Sequence, residues 1–95
     1  MKTVVLDGAC LANMAEVHRA FAETLEFPAW YGNNLDALYD MLTERTEELT
    51  VVLAHRAELA RTLGSRYAAL LALLNDASEE NPALTVELPC DMQQN

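Results

Sequence analysis

The chain has 95 residues, 52% of them hydrophobic, and its 6 Lys plus Arg against 15 Asp plus Glu leave a formal net charge of −9. That length suits one domain with a single small core, and the apolar share is too high for a disordered acidic tail. Phosphate binding needs clustered Lys and Arg, so nucleic acid and anionic membrane surfaces are disfavoured as partners, and a partner that responds to charge is basic.

In chain order, the β-branched run Thr3-Val4-Val5-Leu6, ended by the turn residues Asp7-Gly8, predicts a short buried strand. Asn13 with Glu16 three residues on resembles a capping box, and Met14, Val17, Phe21 and Leu25 then form one inward stripe of a first helix ending near Leu25. Pro28 and Gly32 bracket a loop that holds two large aromatics, Trp30 and Tyr31. A second helix begins near Leu35, with Leu35, Leu38 and Leu42 as its core stripe. The run 49–54 predicts a second buried strand, and 57–63 a short helix closed by Gly64. A fourth helix spans about 65–80, with Tyr67, Leu70, Leu71, Leu74 and Ala77 inward, and is stopped by Asn81-Pro82. The alternating run 84–88 predicts a third strand, and 89–95 a frayed polar tail. The order β-α-α-β-α-α-β predicts an α/β fold, a three-stranded parallel sheet packed with about four helices, in a single domain covering 1–95.

No run approaches the roughly 18 apolar residues of a membrane span, and none near the start reaches the 7–15 of a signal-peptide core. A cytoplasmic location is expected, with Cys10 and Cys90 as two reduced, unrelated thiols. Without a CxxC pair or a Cys/His cluster, and with Gly8, Gly32 and Gly64 too dispersed for a phosphate loop, neither metal nor cofactor is expected.

The placement of the acids is more informative than their number. On a helical wheel, the arc beside Leu38, Leu42 and Leu35 carries Tyr39, Thr43, Asp36, Asp40 and Glu44 in turn. Asp36, Asp40 and Glu44 are successive i, i+4 neighbours, like charges that destabilise a helix by a few tenths of a kcal/mol per pair. Arg45 is the only cation in this helix region. Asp76 and Glu80 repeat the spacing near the end of the fourth helix, where the macrodipole disfavours acid. An external cation would relieve both strains, although a solvated acidic face is the ordinary alternative. Trp30 and Tyr31 fit two roles, interface anchors beside the acidic helix or caps on the core. Asp36 and Asp40 have the chemistry for general acid/base work. His18 and His55 stand at no spacing that pairs them with Cys10, Cys90 or a serine, so a catalytic nucleophile finds no support and no enzyme is expected.

The stretch from Pro28 to Asp40, which includes Trp30-Tyr31-Gly32-Asn33-Asn34-Leu35-Asp36-Ala37-Leu38-Tyr39-Asp40, resembles the signature of the barstar family, intracellular inhibitors of barnase-like ribonucleases. The resemblance extends to the opening strand, the Val17-His18 pair and the final strand, and it implies the same β-α-α-β-α-α-β fold. It implies that Asp40 is the main anchor, entering the nuclease active site where a phosphate would sit. Asp36 matches the family's first Asp, and Trp30 the aromatic that packs on the nuclease's catalytic histidine. Tyr39 matches the helix aromatic, Thr43 and Asn34 further contact positions, and Asp76 and Glu80 two acidic positions of the last helix. Trp30 and Tyr39 stand where the type member has Tyr and Trp, and Glu44-Arg45-Thr46 departs from its pattern.

The reading that follows is a monomeric inhibitor that occludes a basic, barnase-like ribonuclease in a 1:1 complex. The alternative is an acidic binding or immunity module for a different basic partner or toxin.

Overall fold

The structure, a computed structural model, describes residues 2–89. The elements follow the predicted order: β1 (Lys2–Asp7), α1 (Met14–Leu25), α2 (Leu35–Thr43), β2 (Leu49–Ala54), α3 (Arg56–Leu63), α4 (Ser65–Glu80) and β3 (Leu84–Glu87). Apart from Pro89, the expected frayed tail lies outside the described residues, as does Cys90, while Cys10 is an exposed free thiol. Among the described residues, no helix is long and apolar enough to cross a membrane.

The three strands are parallel and adjacent in chain order, with Val4 opposite Val51 and Val51 opposite Val86. The apolar runs suggest strands buried throughout, but burial alternates instead. Val4, Leu6, Leu49, Val51, Leu53 and Leu84 are buried, whereas Thr3 is exposed and Val5 is 53% exposed. A strand turns alternate side chains to opposite faces, and here only one face of the sheet is sealed.

Val17, Phe21 and Leu25 of α1, Leu38 and Leu42 of α2, and Leu59 and Leu63 of α3 fill the core against that face. In α4 the buried stripe is Leu70, Leu73, Leu74 and Ala77, with Tyr67 and Leu71 only half-buried. The helix touches α2, α3 and β3 together, so its inward arc is wider than one stripe and is centred nearer Leu73 than Leu71. Met14 and Leu35, at the outer ends of their stripes, are also half-buried.

The first helix is capped as its sequence predicts on one side only. Asn13 Oδ1 accepts the Glu16 N–H at 3.0 Å, but the Glu16 carboxylate accepts from Ala12 rather than from Asn13. Gly8 marks a close approach of chains. A Cβ there would lie 2.3 Å from the His55 carbonyl oxygen and 2.6 Å from the Leu59 nitrogen, so the exit of β1 can pass the start of α3 only without a side chain.

Candidate protein-binding face

The α2 helix is fixed at both ends by polar contacts. At its start, Asn34 Oδ1 accepts the Ala37 N–H at 2.8 Å, which satisfies one of the unpaired donors of the first turn. At its end, Asn81 Nδ2 donates to the carbonyls of Leu42 and Arg45, each at 2.9 Å. Asn81 is buried and is also the C-cap of α4, so one amide clamps the C-terminal ends of both helices together. Nothing in the local sequence pattern singles out Asn81, because its stop signal with Pro82 explains it fully at that level.

With Leu38 and Leu42 buried, Asp36, Asp40 and Glu44 are exposed, and Tyr39 and Thr43 lie half-buried at the edge. Glu44 is the C-cap residue rather than part of the helix, and its N–H donates to the Asp40 carbonyl. The Thr43 hydroxyl proton is directed at the helix carbonyls of Tyr39 (2.9 Å) and Asp40 (3.3 Å), so toward a partner this side chain offers lone pairs and a methyl group.

Tyr39 shows how the two acidic helices meet. Its phenol is pushed above the ordinary value of 10.0 by desolvation first, then by the negative charges of Glu80, Asp76 and Asp40. Acids from α2 and α4 thus share one region around a single aromatic ring. The described ion pairs are Lys2 with Glu26, Arg45 with Glu47, and His55 with Asp7. Among the described residues, Asp36, Asp40, Glu44, Asp76 and Glu80 have no cation, because Arg45 turns to Glu47 instead.

The two loop aromatics part company. Trp30 is 77% exposed, the most exposed of the large apolar side chains. Tyr31, expected either as an anchor or as a core cap, is a core cap at 8% exposure. Its ring packs on Phe27 at 4.7 Å, and its hydroxyl lies 2.7 Å from Nδ1 of His18. Burial pushes the Tyr31 hydroxyl up to about 12. Of the two aromatics only Trp30 is left open to solvent, beside a bend closed by the Tyr31 N–H on the Pro28 carbonyl.

The histidines form no pair with Cys10. His18 is buried against Tyr31, and desolvation lowers its pKa. His55 Nδ1 lies 2.7 Å from Asp7 Oδ1, and Cys10 Sγ reaches only the other oxygen of Asp7, at 3.8 Å. Asp7 is held below its ordinary value of 3.8 by the Ala9 N–H first and by His55 next. Asp36 and Asp40, the carboxylates considered for acid/base work, both lie open to solvent on α2.

The family model described as Barstar (barnase inhibitor) matches residues 1–93. A protein of Bacillus subtilis (strain 168) named "Putative ribonuclease inhibitor YrdF" is 36% identical over 81 residues, which cover 84% of this chain and 89% of that protein.

Proposed function

This chain belongs to the barstar family, and on that premise we propose that it inhibits a basic, barnase-like ribonuclease by occluding the active site in a 1:1 complex. What supports this reading is the set of carboxylates around Tyr39: Asp40, Asp76 and Glu80 share one field, and none is paired with a cation among the described residues. A ribonuclease holds RNA in a groove of positive charge, and carboxylates on a fixed helix can stand where phosphates would lie. Asp40 is the central anchor, with Asp36 and Glu44 one turn to either side. Trp30 and Tyr39 exclude water from the contact, which strengthens every ion pair inside it. Asn34 and Thr43 act at the two ends of α2, the first by capping the helix that aims the acids.

The chain's net charge of −9 speeds encounter with a basic enzyme and makes the rate sensitive to salt. Occlusion requires no bond to form or break, so the reading is of an inhibitor and not an enzyme. The test is a titration of the protein into a panel of barnase-like ribonucleases while RNA cleavage is followed. Stoichiometric loss of cleavage with at least one member is expected. No inhibition of any member, together with tight capture of an unrelated basic protein, would establish the alternative of a binding module for another partner.

A further inference from the structure

Beside the acidic face lies a cleft of opposite character. It has a volume of about 370 Å³ and is lined by Met14, His18, Asn33, Asn34, Leu35 and Arg66. These residues belong to the starts of three helices: Met14 opens α1, Leu35 opens α2, and Arg66 is the second residue of α4. Side chains from the first turns of three helices therefore line one small volume. The first-turn acids Glu16 and Asp36 do not line it, and the Glu16 carboxylate is engaged by Ala12.

Among the described residues, one side chain and one ring nitrogen in the cleft lack a partner. In a chain with 15 acids, Arg66 forms no ion pair among the described residues. His18 is 4% exposed, and Nδ1 is bonded to Tyr31 while Nε2 has no partner among them. Hydrogen-bond satisfaction assigns the tautomer. Were Nδ1–H the donor, the buried Tyr31 O–H would have no acceptor, so Tyr31 donates to Nδ1 and the proton sits on Nε2. The cleft thus holds an imidazole N–H, a guanidinium and the side-chain amide of Asn33, while the Asn34 amide at its rim is engaged by the Ala37 N–H and the Gly32 carbonyl.

We propose that this cleft receives a carboxylate, supplied in the complex by an acidic side chain of the ribonuclease. The source rests on the function proposed above, and Asn34 joins the cleft to that face. Arg offers a planar fork that matches a carboxylate, and Met14 and Leu35 give apolar walls for the stem that carries it. RNA is a poor occupant because, as a polyanion, it is repelled by the chain's net charge of −9 far more than one carboxylate carried on a basic enzyme.

The charge signs make the test discriminating. Against a basic nuclease, removing a merely superficial cation makes the inhibitor more negative and tightens binding. If Arg66 meets a carboxylate, removing it weakens binding. With barnase as the probe, Arg66→Ala is expected to raise Kd about tenfold and Arg66→Glu to raise it further, with Arg66→Lys in between. A Kd that falls in Arg66→Ala and falls again in Arg66→Glu overturns the nuclease as the source. A second arm does not depend on the nuclease. Sodium acetate titrated into the free protein, against equal sodium chloride, should give a saturable shift of the His18 ring resonances that Arg66→Ala abolishes. No such shift overturns the carboxylate cleft itself. Failure of the unmodified protein to bind barnase or any related nuclease, with the acetate shift intact, overturns the proposed function and with it the source.

Discussion

The Tyr31 hydroxyl lies 2.7 Å from Nδ1 of His18, and the contact is buried on both sides. It ties the loop that exposes Trp30 to the interior face of α1. Trp30 can be held outward because its neighbour is anchored inward, so a core contact sets the geometry of a surface aromatic.

Tyr31→Phe tests that link. The ring contact with Phe27 survives, but His18 loses its donor and keeps a buried acceptor unsatisfied. Stability should fall by about 1–2 kcal/mol, measured as a lower urea midpoint with an unchanged slope. Trp30 is the only tryptophan, so its fluorescence anisotropy should fall as the loop loosens.

The same pair predicts a pH dependence. Burial lowers the His18 pKa below the ordinary 6.5, so the unfolded chain takes up the proton first. The His18 contribution is fully present above 6.5, declines as pH falls from there toward the folded value, and levels off below it. Urea midpoints measured from pH 8 to pH 5 should show this fall. The slope across that window should flatten in His18→Gln.

Much of this was legible in sequence because it rests on local signals. The β-branched runs, the cap at Asn13 and the breaker at Asn81-Pro82 each act within a few residues, and the elements formed where those signals stood. The acidic arc of α2 was legible too, since a helix of known start fixes which residues share a face. What was hidden depends on contacts distant along the chain. Tyr31 and Trp30 are adjacent and both aromatic, and it is contacts with Phe27 and with His18, 13 residues earlier, that hold Tyr31 inward. Asn81 reaches Leu42 across 39 residues, a pairing that no periodicity announces. The exposed side of Val5 was missed because a run of apolar residues does not say which faces of a sheet the helices cover.

Asn81→Ala removes the clamp between α2 and α4 and leaves two carbonyls, those of Leu42 and Arg45, without their donor. The expected loss is about 2–3 kcal/mol, or a fall in Tm on the order of 10–20 °C for a domain of this size. Nuclease affinity should fall as well at temperatures where the variant is folded, because Asp40 loses its fixed relation to Asp76 and Glu80. Asn81→Asp, which keeps the shape but cannot donate, should be no better than alanine.

Gly8→Ala should destabilise by about 2–3 kcal/mol or block folding, because the new Cβ would meet backbone, which cannot rotate away. Gly64→Ala is the control. It has φ of 63° and ψ of −134°, which L side chains rarely adopt, but open space around it, so its cost is backbone strain without a clash, about 1–3 kcal/mol. Thermal unfolding of the two variants side by side separates steric from conformational need.

The last prediction concerns which acids matter. Asp40 and Glu87 carry the same charge, and both are exposed, but only Asp40 lies on the α2 face beside Asp76 and Glu80. If net charge alone drives binding, Asp40→Ala and Glu87→Ala should have equal, small effects that vanish in high salt. If Asp40 enters the active site, its loss leaves nuclease cations buried without a partner, at a cost of about 3 kcal/mol or more, a rise in Kd of at least about a hundredfold. That loss should appear in the dissociation rate and persist at 0.5 M salt, while Glu87→Ala should change only the association rate. Asp76→Ala and Glu80→Ala should fall between, since each contributes to the field at Tyr39 from the neighbouring helix. Tyr39 supplies an internal check: its phenol should titrate at lower pH when any of the three acids is removed, because each raises its pKa in the folded protein.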